Sequence, residues 1–206
     1  MKINLTNLGK RYNRDWIFRN LDFQFDPGKH YAITGPNGSG KSTLLQIISG
    51  AVIFNEGKIN YYETDKMFPG ENIFEKISFA APYLDVIEEM TLIEFFSFHH
   101  KMKGWLPTVD TKQIILLSSL EDAAHKQIRY FSSGMKQRVK LAQAIFSNTA
   151  VVLLDEPLTN LDEEGVLLYH SLIETHGKNR LLIISSNDKK EYSFCDEIID
   201  IRDFKK

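Results

Sequence analysis

The sequence predicts an α/β fold, and three observations carry that reading. Residues 2–34 alternate apolar and polar positions, with Ile3/Leu5 and Leu21/Phe23/Phe25 on one face, which is the period-two pattern of half-buried strands. A buried-strand run, Tyr31-Ala32-Ile33-Thr34, leads into a glycine-rich loop and then a helical pattern. From residue 130 onward, helix-length and strand-length segments alternate, the order that gives a parallel sheet with helices on its faces.

Taken in order, the first elements are strands with a turn at Pro27-Gly28. Thr43-Leu44-Leu45-Gln46-Ile47-Ile48-Ser49 reads as a helix stopped by Gly50. Gly57 to Tyr62 and Lys76 to Ala80 read as further strands. The tract from about 85 to 128 reads as helical. It includes a charged helix at Glu88-Glu89 and a helix over Thr91 to Met102 that places Leu92, Phe95, Phe96 and His99 on one face, before Gly104 and Pro107 break it. Ser133 to Phe146 is predicted helical, Ala150 to Leu154 a strand, Glu163 to Thr175 a helix and Arg180 to Ser185 a strand.

The loop itself, Gly35-Pro36-Asn37-Gly38-Ser39-Gly40-Lys41-Ser42, fits G-x-x-x-x-G-K-[ST]. Its three glycines let the backbone curl with successive N–H groups pointing inward at a phosphate. Lys41 can then reach β- and γ-phosphates, and the Ser42 hydroxyl can ligate Mg²⁺. Residues 35–42 together with Thr43 are the candidate phosphate-binding set. Strand, loop, helix is also the order that aims a positive helix end at an anion. A chance match in a chain this long is an event on the order of one in a hundred.

Three further segments narrow the chemistry. Ala150-Val151-Val152-Leu153-Leu154-Asp155-Glu156-Pro157 is an apolar strand ending in two acids, which puts carboxylates at the carboxyl edge of a parallel sheet. Asp155 can hold Mg²⁺ through water and Glu156 can polarise an attacking water. Tyr130-Phe131-Ser132-Ser133-Gly134-Met135-Lys136-Gln137-Arg138 opens a helix with small residues whose N–H groups can take another phosphate. Leu158-Thr159-Asn160-Leu161-Asp162 follows the acidic pair directly.

With these segments in this order and spacing, essentially the whole chain resembles the ABC-type ATPases. The segment around Ser132 and Gly134 is the family's signature, and it separates this family from P-loop kinases and GTPases. The resemblance implies a P-loop NTPase (RecA-like) parallel-sheet core with an N-terminal antiparallel β subdomain and a helical signature subdomain. Residues 1–84 and 148–206 would form the nucleotide-binding core and 85–147 the helical part of one domain. It also implies ATP and Mg²⁺ as ligands and a head-to-tail dimer with a second ABC ATPase subunit, as homodimer or heterodimer. In that dimer Ser132 and Gly134 would touch the γ-phosphate of the partner's ATP, and Asp162 would shape the contact. Tyr12 stands where the family places an aromatic that stacks on adenine. Without the resemblance Tyr12 is divided evenly between core packing and stacking, and Trp16 is the alternative platform.

Three positions depart from the family pattern. Asn187 occupies the place of a histidine that bonds the γ-phosphate; an amide donates a hydrogen bond but carries no charge and shuttles no proton. The signature reads F-S-S-G-M instead of L-S-G-G-Q, so Ser133 and Met135 are atypical. Pro82-Tyr83 stands where a glutamine senses Mg²⁺ and the transmembrane partner. Glu156 is intact, so the expectation is slow rather than absent hydrolysis, with Glu156, Lys41 and Asn187 as the catalytic set.

The remaining features bound the setting. Hydrophobic residues are 43%, charged residues 25% and the net charge is −2, which argues against a nucleic-acid partner. The one cysteine, Cys195, cannot form an internal disulfide and reads as a small buried hydrophobe in a reducing compartment. No run of 18 apolar residues and no signal-peptide pattern occurs, so the expected place is cytoplasmic, peripheral on the inner face of the cell membrane beside transmembrane transporter subunits. Phe95, Phe96, Phe98 and Trp105 are expected to be mostly core, with Phe96 and Phe98 as candidates for a groove that receives a membrane subunit. The tail Arg202 to Lys206 and Glu88-Glu89 read as solvated surface. The alternatives in view are a soluble ABC-type ATPase without a membrane partner, such as a cluster-assembly scaffold, and a regulatory subunit slow in hydrolysis.

Overall fold

The computed structural model describes residues 1–205; of the expected surface tail, Lys206 lies outside the described residues. In chain order the regular elements are β1 (Lys2–Tyr12), β2 (Asp15–Phe25), β3 (His30–Thr34), α1 (Lys41–Ile48), β4 (Glu56–Glu63), β5 (Lys66–Phe68), β6 (Ile77–Ala80), α2 (Leu92–Lys103), α3 (Thr111–Leu117), α4 (Ser133–Phe146), β7 (Val151–Asp155), α5 (Glu163–His176), β8 (Leu181–Ser185), α6 (Lys189–Tyr192) and β9 (Glu197–Asp200). They build two sheets: an antiparallel one in the order β2-β1-β4-β5 and a parallel one in the order β6-β7-β8-β3-β9. This is the α/β architecture read from the sequence.

The central parallel strands β7 and β8 are apolar at every position but the last, because both faces of the sheet are covered there. Val152, Leu154, Leu182 and Ile184 pack toward the helical side with α2, α4 and α5. Val151, Leu153, Leu181 and Ile183 alternate onto the other face, against α1 and the antiparallel sheet. The sheet is therefore the shared wall of two cores.

Helix α2 starts where its sequence supplies a capping box. Glu94 N–H donates to Thr91 Oγ1 at 3.4 Å, and Thr91 N–H donates back to the Glu94 carboxylate at 2.9 Å. Gly104, at φ +71°, ends it. Leu92, Phe95, Phe96 and His99 are all buried, as their spacing predicts. Phe96 has no accessible surface and meets Trp105 edge-on at 5.7 Å, so it belongs to the core and not to a docking groove; of the four aromatics only Phe98 is exposed.

The 85–128 tract is less helical than its composition predicts, and Glu88-Glu89 is not in a helix. The backbone there pairs with the segment before the signature: Ile128 N–H donates to Met90 O and Arg129 N–H to Glu88 O, both at 3.0 Å. A helix would use those carbonyls internally. Glu88 reaches Lys136 at 2.5 Å and Glu89 reaches Arg129 at 3.6 Å, so the acids tie this strip to the signature region.

Arg180, just before β8, terminates α4. Its guanidinium donates to the carbonyls of Ile145 (2.5 Å), Ser147 (2.9 Å) and Thr149 (2.9 Å) and to Thr149 Oγ1 (2.8 Å), satisfying groups that a helix end leaves open. Burial lowers its pKa to about 10. Cys195 is partly buried, and burial first, then Asp196, pushes its thiol up to about 12, as suits an inert packing residue.

Candidate nucleotide site

The glycine-rich loop joins β3 to α1 and takes the backbone that glycine permits: φ is +140° at Gly35, +75° at Gly38 and +107° at Gly40. A Cβ at Gly40 would stand 2.3 Å from Ile17 Cγ2, so β2 presses directly on the loop. Nothing lies within 4 Å of the Gly38 position, which leaves the other side of the loop open. Lys41 is only 4% exposed, and its ammonium donates to the carbonyls of Gly35 at 2.8 Å and Pro36 at 3.4 Å. A buried cation held by carbonyls alone is poised for an anion.

Asp155 ends β7 and is 2% exposed, and its Oδ1 has no hydrogen-bond partner. An orphaned buried carboxylate oxygen is the kind of donor that fits a divalent cation, and Ser42, whose hydroxyl is a donor of the same class, lines the loop cavity. Tyr83, in the place of the expected glutamine, faces the same spot: burial first, then the Asp155 carboxylate, pushes its hydroxyl above the ordinary value, and Gln46 also meets it.

Glu156 adopts φ +43°, a conformation that costs a non-glycine residue about 1–2 kcal/mol and therefore has to be held. Its N–H donates to Ser185 O at 2.9 Å. Two cavities meet at Glu156 and Asn37. One, of about 170 Å³, is lined by Gly38, Gly40, Lys41, Ser42, Thr43 and Ile17. The other, of about 290 Å³, is lined by Leu158, Thr159, Ser186, Asn187, Asp188 and Glu191. Asn187 closes the second one over the loop: its Oδ1 accepts from Gly35 N–H at 3.3 Å and its Nδ2 donates to Asn37 Oδ1 at 3.0 Å. The structure thus brings together Asn37, Gly38, Gly40 to Thr43, Glu156 and Asn187, while Asp155, buried at the end of β7, lines neither cavity.

The signature lies elsewhere. Ser132 caps α4, accepting from Met135 N–H at 3.2 Å, and with Ser133, Gly134, Met135, Arg138, Asn160 and Asp162 lines a separate cavity of about 320 Å³ that shares no residue with the other two. Gly134 approaches the Asn160 carbonyl so closely that a Cβ would be 3.0 Å from it. Asp162 caps α5 and pairs with Arg138 at 3.0 Å; the Gly165 N–H and then Arg138 hold its carboxyl below the usual range.

Tyr12 is 49% exposed at the tip of the β1–β2 hairpin, with the Lys10 ammonium 4.6 Å from its ring centre, and is not among the residues lining the loop cavity. Trp16 is held between Arg19 and Arg11, at 4.5 and 5.5 Å. Sequence reasoning missed Ile17 and Glu191. Ile17 carries no motif. Glu191 is an acid four residues beyond Asn187, and neither its burial nor its place on the cavity wall shows in the sequence.

Comparison with known proteins gives a consistent result. The family model described as ABC transporter matches residues 18–159. An uncharacterized ABC transporter ATP-binding protein of Bacillus subtilis, YybJ, is 33% identical over 202 residues, covering 94% of this chain and 89% of its own length. A putative hemin import ATP-binding protein of Staphylococcus aureus, HrtA, is 28% identical over 211 residues, covering 97% and 94%. Among solved structures, a putative ABC transporter ATP-binding protein from Pyrococcus furiosus superposes with a TM-score of 0.83 at 23% identity over 100% of both chains. The dimeric ATP-binding cassette MJ0796 bound to ADP and phosphate superposes at 0.82 and 22%, covering 96% of this chain and 93% of that one.

Proposed function

This chain belongs to the ABC transporter family and is an ATPase of it, and on that footing we propose that it is the motor subunit of a membrane transporter, working as a head-to-tail dimer. The observation that carries the dimer is the separation of the two phosphate-facing surfaces. The loop cavity, with Lys41 and Glu156, and the signature cavity, with Ser132 and Gly134, share no residue within one chain. A second copy or a related chain completes each, so that ATP held by one loop meets the other chain's signature. That a cassette of the same fold is dimeric when bound to ADP and phosphate supports a dimer here.

In this reading the 35–40 backbone and Lys41 hold the β- and γ-phosphates. Ser42 and Asp155 hold Mg²⁺, which supplies charge neutralisation on the phosphates when bound. Glu156 orients the attacking water, and Asn187 donates a neutral hydrogen bond beside the γ-phosphate. ATP favours the closed dimer only by its greater affinity for that state, and hydrolysis removes it. Among the described residues no helix is long and apolar enough to cross a membrane. In this reading the transport path belongs to a separate transmembrane subunit, with this chain on the inner face.

Affinity capture of tagged Glu156→Gln chain from its host's membranes, in mild detergent with Mg·ATP, tests this. One multi-span protein in stable ratio is the expected result, and a second ATPase chain in the same sample would make the dimer a heterodimer. Recovery from the soluble fraction alone, with no multi-span partner, would favour the soluble or regulatory reading, which the uncharged Asn187 supports.

A further inference from the structure

Glu191 is an unassigned acid with a demanding environment. It is 4% exposed and takes part in no ion pair among the described residues. A buried carboxylate without a cation is a poor stabiliser, so what it supplies is geometry. One carboxylate oxygen accepts from Leu158 N–H at 2.7 Å, two residues beyond Glu156. The backbone of Glu191, which carries that carboxylate, is itself fixed through both its N–H and its carbonyl. Glu191 N–H donates to Asp188 O at 3.0 Å, and the fully buried Tyr169 hydroxyl donates to Glu191 O at 2.8 Å.

We infer that Glu191 is a positioning residue for Glu156. It clamps the turn that follows Glu156 to the segment that carries Asn187, so that the two groups facing one cavity keep a single spacing. The left-handed Glu156 is then pinned on both sides, by Ser185 O before it and by Glu191 after it. The turn continues into the subunit-contact loop through Thr159 N–H to Glu156 O at 3.2 Å and Leu161 N–H to Leu158 O at 3.0 Å. On the other side Asn187 reaches Gly35 and Asn37. A chain of bonds therefore links the phosphate loop, Asn187, Glu191 and the Leu158–Asp162 loop. This inference rests on the proposed role of Glu156 in hydrolysis.

Burial pushes the Glu191 carboxyl up to about 7, against the Ser186 hydroxyl and the Leu158 N–H; Asp188 and Glu156 are the charged groups that face it. Neutral or ionised, it accepts from Leu158, and an amide does so equally.

The test compares Glu191→Gln, which keeps the acceptor, with Glu191→Met, which fills similar space without one. The full chain is followed by amide exchange, fluorescent-ATP binding and single-turnover hydrolysis. The expected result for Glu191→Met is faster exchange at Leu158 and through 186–188, hydrolysis about tenfold to a hundredfold slower, and ATP affinity within about twofold of wild type. Glu191→Gln restores all three. Unchanged Leu158 exchange in Glu191→Met overturns the clamp, as does a Glu191→Gln variant as slow as Glu191→Met. Hydrolysis that ignores Glu156→Gln overturns the reading of the site instead, and the clamp is then decided by Leu158 exchange alone.

Discussion

Replacing Asn187 by alanine separates what this residue does for the fold from what it does for the chemistry. In the structure its amide makes two hydrogen bonds, one of 3.0 Å to Asn37 Oδ1 and a longer one of 3.3 Å from Gly35 N–H. The side chain is exposed, so water replaces both partners easily. Exposed bonds of this kind contribute about 1 kcal/mol together. For a chain of this size that lowers Tm by roughly 2–4 °C. The kinetic loss is larger, because a preorganised donor removed from a site of developing charge costs about a hundredfold in rate or more. A neutral amide belongs at the lower end of that range. Single-turnover hydrolysis by Asn187→Ala should thus fall about a hundredfold while melting shifts only slightly. Asn187→His, which adds a charge-assisted donor, should exceed wild type by roughly tenfold. Turnover of Asn187→Ala within about threefold of wild type would refute the assignment of Asn187 to the γ-phosphate.

Other perturbations follow from the same geometry. Lys41→Met removes the buried ammonium, and ATP affinity measured by fluorescent-nucleotide titration should fall by about 2–4 kcal/mol, with urea stability changed by less than about 1 kcal/mol because the cation has no anionic partner in the loop. Arg180→Met strands three buried carbonyls at the end of α4 and should cost about 3–5 kcal/mol by urea unfolding, without altering nucleotide binding in whatever fraction stays folded. His99 is buried against Ser147 Oγ at 2.7 Å, and burial lowers its pKa to about 4. Its folded pKa lies below the unfolded value, so its contribution is complete above about pH 6.5 and is lost as pH falls toward 4. Wild type should therefore lose about 2 kcal/mol more than His99→Gln between pH 7 and pH 5. The raised Glu191 acts with the opposite sign in both proteins and cancels in that difference.

The sequence discloses the phosphate loop almost completely, because G-x-x-x-x-G-K-[ST] is a local motif whose geometry follows from its own residues. The same holds for α4, which runs over Ser133–Phe146 as its pattern predicts, and for β7 ending at Asp155. What is not legible is set by long-range contacts. Glu88-Glu89 has a helical composition but is drawn into backbone pairing with residues 128 and 129. Phe96 and Phe98 look alike in sequence, yet packing against Trp105 buries one and leaves the other in water. Glu191 enters the site only because α6 folds it back beneath Leu158, 33 residues away in the chain. Ile17 reaches the loop by strand packing alone.

The central claim is that two chains share each ATP, and sedimentation of the Glu156→Gln chain with and without Mg·ATP tests it most directly. The account predicts a monomer that becomes a dimer with ATP, and a Ser132→Arg variant that stays monomeric while the single chain binds ATP as before. A Ser132→Arg variant whose monomer loses ATP binding would place the signature and the loop on the same nucleotide within one chain and contradict it, whereas a chain that remains monomeric at saturating ATP would contradict the homodimer.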